Sequence, residues 1–224
     1  MMEGMGMGTL RWVLATGLLV VAVQPAQAQR DPSRSMRLGE TPSSPQDLRI
    51  LDRFSRCVAG RQENAAAALL AADPATSDYR SGMRRLAQSN WGCLGSGTLN
   101  FNEALFAGGL AEALLRRGNA NTNLMARTAH DPGRPALAVR NEAELMSICT
   151  VRAAPSQVEA LLASEVASPE EAAAVRALMP QIGQCLSAGV NMRLNRPALR
   201  AALALATHRL VRHNGAVMRA SARE

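Results

Sequence analysis

Apolar residues recur every three or four positions in several segments of the chain, which is the spacing of an amphipathic helix. Residues 155–164, for example, place three aliphatic side chains on one face. The segment Ser168-Pro169-Glu170-Glu171 is typical of a helix start, because the serine can cap, the proline suits the first turn and the carboxylates meet the positive end of the helix dipole. Asn195-Arg196-Pro197 opens the last predicted helix in the same way. The predicted helices are residues 47–57, 64–72, 76–88, 102–117, 141–151, 155–164, 168 to about 180, and 195–215.

The two halves of the chain are related by a displacement of 92 residues. The displacement carries Cys57 and Cys93 onto Cys149 and Cys185, and it also superposes several identical Ala, Leu and Arg positions. A chance match of Ala- and Leu-rich segments would not also align all four cysteines, so the sequence indicates an internal duplication. We therefore predict an all-α fold of two tandem four-helix units.

The amino-terminal segment has the features of a signal peptide. An uncharged run at residues 12–23 is followed by Pro25-Ala26-Gln27-Ala28, whose small residues suit a signal peptidase. We expect cleavage near Ala28 and a periplasmic or secreted protein. The run of ~12 residues is shorter than the ~20 that span a bilayer, so no transmembrane span is expected in the mature chain, with retention as an anchor as the alternative. The predicted segments are a signal peptide (1–28), a flexible lead-in (29–45), a first helical unit (46–117), a linker (118–138), a second helical unit (139–216) and a C-terminal tail (217–224).

Export favours disulfides as the role of the four cysteines, because thiols pair stably in an oxidising compartment. Four cysteines allow three connectivities. The repeat favours Cys57 with Cys93 and Cys149 with Cys185, since each unit then carries one disulfide across 36 residues. The competing interpretation, a four-cysteine zinc site, needs shorter spacings than this chain offers. No metal or other cofactor is expected.

The composition supports helices and limits the partners. Ala and Leu are abundant, whereas the chain has three Phe and one Tyr, and strands draw on aromatic and β-branched residues. All 25 basic residues are Arg, which is typical of a GC-rich genome, and the formal net charge is +7. A charge of this sign permits weak attraction to an anionic envelope surface. Export removes nucleic acid as an expected partner.

Few residues suggest catalysis or metal binding. His208 and His213 are five positions apart on the last predicted helix, away from the common face that a two-histidine metal site needs. We therefore expect surface histidines beside a helix C-terminus, where they meet the negative end of the dipole. The pair His130-Asp131 precedes a proline and is interpreted as a polar turn.

Arginines occur in two pairs and in a group near the end of the chain. They could line a groove for an anionic ligand, but arginines on helices usually form a solvated face, which is the interpretation that we favour. The set consists of Arg84, Arg85, Arg116, Arg117, Arg193, Arg196, Arg200, Arg209 and Arg212.

Three segments carry a resemblance to a known family: residues 53–58 (RFSRCV), residues 100–101 with 109–114 (NF and GLAEAL), and residues 194–200 (LNRPALR). Together with the cysteine framework, they resemble an uncharacterised family of secreted, four-cysteine, all-helical proteins of sphingomonad-type alphaproteobacteria. The resemblance implies export and an alphaproteobacterial origin. That family has no assigned activity, cofactor or catalytic residue, so the resemblance implies none here.

Two classes of function follow. The first is a periplasmic interaction or scaffold protein without catalytic activity, whose partner would be an unknown envelope protein or an anionic envelope surface. A periplasmic stress chaperone belongs to the same class. The alternative is a hydrolase-like periplasmic enzyme whose site is assembled between the units from Glu142, Glu144, Asp131 or His130. We favour the interaction protein, because the duplicated helices carry no catalytic motif.

Overall fold

The computed structural model describes residues 34–38, 44–95, 97–133, 135–190, 192 and 195–221. Within these residues the chain forms nine α-helices, one 3₁₀ turn and two short strands. The helices are α1 (Pro45–Arg61), α2 (Glu63–Ala71), α3 (Ser77–Ser89), α4 (Glu103–Arg117), α5 (Leu124–Thr128), α6 (Glu142–Ala153), α7 (Pro155–Ala163), α8 (Pro169–Gln184) and α9 (Arg196–Ser221). The 3₁₀ turn is Trp91–Cys93, and the strands β1 (Arg34–Leu38) and β2 (Gly97–Phe101) pair in parallel. The predicted helical fold is therefore confirmed for the described part of the chain, apart from this two-stranded ladder.

Polar side chains cap the starts of six of the nine described helices. Ser44 forms a capping box at the start of α1. At α8, Ser168 Oγ accepts a hydrogen bond from Glu171 N at 3.0 Å, and at α9, Asn195 Oδ1 accepts one from Ala198 N at 3.0 Å. Each cap satisfies a backbone N–H that the first helical turn leaves unpaired. The predicted starts of the third and fourth helices of the second half are thus confirmed.

Several elements differ from the predicted bounds. α8 continues past Pro180, and α9 extends beyond Gly215 to Ser221. Pro180 is exposed, so water can bond to the carbonyl that its missing N–H leaves free. The predicted linker contains α5, whose Leu124 is fully buried. The predicted lead-in contains β1, whose backbone pairs with β2.

The helices α4 and α9 form the centre of the described fold. They pack on each other more extensively than any other described helix pair, with α1 on the outside of α4 and α6 on the outside of α9. Gly108 of α4 lies against Ala201 of α9, and a Cβ at position 108 would overlap both the side chain and the backbone of Ala201. Gly109 lies in the same way against Ser55 of α1. The two glycines therefore let α4 approach a helix on each side, since the distance between helix axes depends on the side chains at the crossing.

A single hydrophobic core includes side chains from both halves of the chain. Phe54 and Phe106 lie with ring centroids 5.6 Å apart and planes tilted by 40°. Val158, Leu161 and Leu178 of the second half belong to the same core and are fully buried. The helices of the two predicted units are therefore packed around one core.

Two disulfides tie outer helices to their neighbours. Cys57 of α1 bonds to Cys93 of the 3₁₀ turn, and Cys149 of α6 bonds to Cys185 directly after α8, with Cα atoms 5.7 and 5.6 Å apart. This is the pairing that the sequence repeat favours. Because disulfides persist in oxidising compartments, the two bonds are consistent with a protein that resides outside the cytoplasm.

None of the helices in the described ranges has the length and apolar character needed to cross a membrane. The predicted signal peptide and its cleavage site near Ala28 lie outside the described residues.

Candidate functional site

The crossing of α4 and α9 separates two regions of different character. On one side, charged side chains meet beside a cavity of about 50 Å³, and on the other, α3, α4, α6 and α9 line a cavity of about 450 Å³. Leu105 and Ala201 line both cavities, so the two regions share a wall. The charged region, called the arginine network, consists of Glu112, Arg116, Glu171, Arg196 and Arg200. The larger space, called the helical cavity, is lined by Pro74, Tyr79, Asn102, Glu103, Ala104, Leu105, Ala107, Arg140, Asn141, Ala143, Glu144, Ser147, Ala198, Ala201, Ala202, Leu205 and Ala206.

Arg200 is the centre of the arginine network. Its side chain is buried, with 5% of the residue exposed. Nε and Nη2 donate to the two carboxylate oxygens of Glu112 at 2.9 and 2.7 Å, and Nη1 donates to Glu171 at 3.1 Å. The remaining N–H groups donate to the hydroxyl and the carbonyl of Ser164 at 3.2 and 2.9 Å. All five donors of the guanidinium are therefore used, and the bond to Glu112 has the bidentate geometry of strong arginine–carboxylate pairs.

The two carboxylates of the network receive further donors. Glu112 accepts from Arg116 Nη2 at 2.5 Å, one turn along α4. Glu171 accepts from Arg196 Nε at 3.2 Å and from the backbone N–H of Ala167 at 3.0 Å. Buried charges are tolerated when each is paired and hydrogen bonded in this way. The network thereby joins α4 to α8 and α9.

Electrostatics keeps the central guanidinium charged. Burial lowers the pKa of Arg200, but hydrogen bonds and the charges of Glu112 and Glu171 outweigh that effect and raise it. Asp52 lines the small cavity beside the network, and burial raises the pKa of this carboxyl against the lowering effect of Arg56. A cavity of about 50 Å³ holds a few water molecules at most. We therefore interpret the arginine network as a structural joint.

The helical cavity has the size and the lining of a small-molecule site. Its volume of about 450 Å³ lies within the range of about 300–1,000 Å³ that ligand pockets occupy. Alanines of α4, α6 and α9 form much of its wall. Their short side chains make the wall apolar and leave the space between the helices open.

Charged side chains near the helical cavity pair with one another. Arg140 donates to the carboxylate of Glu144 through Nε at 3.1 Å and Nη2 at 2.9 Å, and Arg209 pairs with the same carboxylate. Arg140 Nη1 also donates to the carbonyl of Ala72 at 3.2 Å. Burial lowers the pKa of Arg140 and of Arg209. Arg140 and Arg209 carry two positive charges, and Glu144 and Glu103 carry two negative charges. The net charge of these four residues is therefore zero.

Tyr79 of α3 adds a neutral polar group to the wall of the helical cavity. The residue is 8% exposed, and burial, with a smaller contribution from Glu103, raises the pKa of its phenol to about 12. Within the described ranges, no side chain or backbone group exchanges a hydrogen bond with its hydroxyl. Because the phenol stays protonated at physiological pH, it can donate a hydrogen bond to a bound molecule.

The structure corrects the prediction that His208 lies on the surface. His208 is 5% exposed, and its Nδ1 is buried without a hydrogen-bond partner among the described residues. Burial, and then the charge of Arg212, lowers its pKa to about 4. The expectation failed because α9 lies at the centre of the fold, where α4 covers it. His213 is half-buried, and its Nε2 lies 2.9 Å from the carbonyl oxygen of Pro135.

The predicted solvated face of arginines holds for only part of the set. Arg84, Arg85 and Arg212 are exposed. The expectation is wrong for Arg200, because its carboxylate partners, 88 and 29 residues away in the chain, meet it in the interior. Arg193 lies outside the described residues.

Three of the four residues considered for a hydrolytic site make bonds to other groups in the described part of the chain. Glu144 lines the helical cavity, where two arginines occupy its carboxylate. Glu142 accepts a hydrogen bond from Ser187 Oγ at 2.9 Å. His130 and Asp131 are exposed after α5, and Asp131 Oδ1 accepts from a backbone N–H two residues further on at 2.9 Å.

A second concave surface carries four guanidinium groups. This basic groove has a volume of about 220 Å³ and is lined by Arg49, Asp52, Arg53, Arg56, Arg116, Glu165 and Val166. Arg56 pairs with Asp52 at 2.5 Å. Arg49 and Arg53 are exposed, and neither has an ion-pair partner in the described part of the chain. Two positive charges of the groove are therefore without an ion pair to any described residue.

Sequence reasoning singled out Arg116, Arg196 and Arg200 of the network and Glu144 of the cavity, but it missed the buried role of Glu112 and the residues Tyr79 and Arg140. Tyr79 and Arg140 occupy ordinary positions in the sequence, and only the packing of four helices places them at one cavity. Glu112 did carry a signal, because it stands among Leu and Ala in the most apolar part of α4. A carboxylate in such a setting requires a buried partner.

No protein-family model, curated protein or solved structure matches the chain. The function is therefore argued from the site itself.

Proposed function

We propose that the protein is an exported, non-catalytic interaction protein of the cell envelope that binds a small, mainly apolar molecule in the helical cavity. The observation that carries this proposal is the cavity of about 450 Å³ with its alanine walls. The cavity is an open cleft between the helices, and its lining includes exposed residues such as Ala104 and Asn141. A bound apolar molecule would remove the alanine walls from water and supply them with dispersion contacts.

The helices that form the cavity wall are held in place by ion pairs and a disulfide, so a ligand can bind without a large movement of these helices. The arginine network fixes α9 against α4 and α8. The disulfide between Cys149 and Cys185 fixes α6 to the end of α8. These bonds restrain α4, α6 and α9, which supply most of the cavity wall. Walls that are already in place lower the entropic cost of binding.

The proposal includes export and an origin by tandem duplication. Removal of residues 1–28 would deliver the chain to the periplasm, where disulfides can form. The helix bounds support a repeat of about 92 residues, because adding 92 to the bounds of α2 (Glu63–Ala71) gives those of α7 (Pro155–Ala163). Both disulfides span 36 residues, and α1 packs on α4 as α6 packs on α9. The cavity would then lie between the two units, with α3 and α4 on one side and α6 and α9 on the other.

Binding of the uncharged fluorophore N-phenyl-1-naphthylamine tests the proposal, because its emission rises when it enters an apolar site. The double variant Ala198→Leu/Ala202→Leu fills the cavity from two successive turns of α9. Ala173→Leu/Ala177→Leu is the matched control, with the same spacing at exposed positions of α8. We expect the cavity variant to bind the fluorophore at least tenfold more weakly and the control to bind it normally. Equal binding by the two variants would exclude the cavity as the site.

Attachment to an anionic envelope surface is a second candidate function, favoured by the basic groove. Arg49 and Arg53 have no ion-pair partner among the residues that the structure describes, and they lie one helical turn apart on the exposed face of α1. Guanidinium groups bind phosphate oxygens through two parallel hydrogen bonds. The groove could therefore hold the headgroups of anionic lipids while the helical cavity remains open.

Co-sedimentation with phosphatidylglycerol vesicles tests this second function, with phosphatidylcholine vesicles as the reference. We expect Arg49→Glu/Arg53→Glu to abolish binding to the anionic vesicles at low salt. Arg80→Glu/Arg84→Glu makes the same change in net charge at exposed positions of α3 and should retain most of the binding. Equal losses in both variants would show that overall charge, and not the groove, attracts the vesicles.

A further inference from the structure

The charged groups of the helical cavity are already committed to each other. Arg140 uses Nε and Nη2 for Glu144 and Nη1 for a backbone carbonyl. Arg209 pairs with Glu144 through Nη1 and donates through Nη2 to the carbonyl of Ala138 at 3.1 Å. A carboxylate ligand would have to displace Glu144 from these arginines or remain buried without a counter-ion, and both outcomes disfavour its binding.

A positively charged ligand is disfavoured as well. Glu144 is held by two guanidinium groups. Glu103 lies in the first turn of α4, where the positive end of the helix dipole already balances a carboxylate. Arg140, Glu103 and Glu144 line the cavity, and Arg209, which pairs with Glu144 from outside the lining, brings the sum of the four charges to zero. An uncharged ligand loses the least hydration on entering such a site.

The phenol of Tyr79 is an uncharged polar group of the wall that can make a directional contact. It lines the cavity, it is protonated over the physiological range because burial raises its pKa to about 12, and its hydroxyl has no partner in the described part of the chain. The Tyr79 residue is 8% exposed, and its hydroxyl is open to a bound acceptor. Alanine and leucine form much of the remaining wall, and the polar residues Asn102, Asn141 and Ser147 make hydrogen bonds to the backbone of their own helices.

We infer that the ligand of the helical cavity is an uncharged, mainly apolar molecule with a carbonyl oxygen that accepts a hydrogen bond from the Tyr79 hydroxyl. This inference rests on the proposed function, because it names the chemical class of ligand for the same cavity. The Arg140–Glu144 pair excludes ligands with a carboxylate, and the alanine walls of α4, α6 and α9 hold the apolar body.

Three probes of similar shape test this inference by displacement of N-phenyl-1-naphthylamine at pH 7: 2-acetylnaphthalene, 2-isopropylnaphthalene and 2-naphthoate. They present a carbonyl, a hydrocarbon and a carboxylate at the same position. We expect the ketone to bind most tightly and the carboxylate at least tenfold more weakly. Tyr79→Phe removes only the hydroxyl, so it should weaken ketone binding about 2–12-fold, as expected for one lost hydrogen bond, and should change hydrocarbon binding less than twofold.

The possible results separate the inference from the proposed function. Tightest binding by 2-naphthoate, or equal effects of Tyr79→Phe on the ketone and the hydrocarbon, would overturn the inference and leave the cavity as a binding site. If none of the three probes displaces the fluorophore and Ala198→Leu/Ala202→Leu also has no effect, the proposed function fails and the inference fails with it. Thermal unfolding of the Tyr79→Phe protein should match that of the parent, which confirms that the variant reports on binding.

Discussion

The two sides of the α4–α9 crossing use the same pair of helices in opposite ways. On the side of Arg200, five N–H groups find five acceptors and only about 50 Å³ is open. On the side of Tyr79, alanines leave about 450 Å³ open and one hydroxyl without a protein partner in the described residues. The two faces of the same helices therefore have different roles. One face makes the bonds that hold the helices together, and the other leaves a space open between them. Because the arginine network holds the helices together, the opposite face does not have to be tightly packed.

Removal of the central arginine should give the largest effect. Arg200→Met leaves Glu112 and Glu171 buried without their main counter-ion, and we expect it to lower the free energy of unfolding by about 3–5 kcal/mol. Arg196→Met is the matched control, because the Arg196 side chain is 37% exposed and pairs only at the edge of the network. Such partly exposed pairs contribute about 1 kcal/mol or less. Urea denaturation of the oxidised proteins measures both values, and similar losses in the two variants would contradict the assignment of Arg200 as the joint.

The two disulfides should have similar effects on stability and different effects on binding. Each closes a loop of 36 residues, so removing either by paired Cys→Ala substitutions should cost about 2–4 kcal/mol. Cys149 lies on α6, two residues after Ser147 of the cavity wall, whereas Cys57 lies on α1, away from the cavity. Only the loss of the Cys149–Cys185 bond should therefore weaken binding of N-phenyl-1-naphthylamine. Equal weakening by both double variants would show that the disulfides act on the cavity only through global stability.

The helices and the disulfide pairing could be predicted because their signals are local or repeated. Apolar periodicity and the caps Ser168 and Asn195 define helix starts within a few residues, and the displacement of 92 residues favours one connectivity of the cysteines. α5 was not predicted, because a helix of five residues is too short to show a periodic apolar pattern, although its Leu124 is buried.

The two sides of the crossing could not be predicted, because they depend on contacts between distant segments. Nothing near Arg200 in the sequence distinguishes it from a surface arginine, since Glu112 is 88 residues away. Likewise, the burial of His208 follows from the central position of α9, which the sequence of α9 alone does not indicate. The helical cavity is a space between four helices, and alanine, its main lining residue, is equally common in packed cores.

Acid titration should destabilise α9 through His208. The folded pKa of His208 is about 4, below the ~6.5 of an unfolded chain, so below pH 6.5 the unfolded state binds a proton that the folded state does not. The contribution of neutral His208 to the free energy of unfolding is therefore fully present above pH 6.5. It is lost as the pH falls towards 4, which lowers the free energy of unfolding by roughly 2–3 kcal/mol. His208→Gln removes this contribution. We expect the difference in unfolding free energy between parent and variant to change across pH 4–6.5, and a constant difference would show that His208 does not titrate as its burial requires.

The smallest change in the free energy of unfolding is expected at the crossing of α4 and α9, where Gly108 lies at the contact between the two helices. A Cβ at position 108 would overlap Ala201, so Gly108→Ala should force α4 and α9 apart. Overpacking costs about 1–3 kcal/mol, and overlap with the Ala201 backbone places Gly108→Ala at the upper end of this range. Alanine gains up to ~1 kcal/mol over glycine in a helix, which leaves a net loss of about 2 kcal/mol. Gly183→Ala in α8 is the matched control, because a Cβ there meets no atom within 4 Å, and it should stabilise the protein slightly. Chemical denaturation of both variants measures the pair, and a Gly108→Ala protein as stable as the Gly183→Ala protein would mean that the two sides of the crossing can be separated without loss.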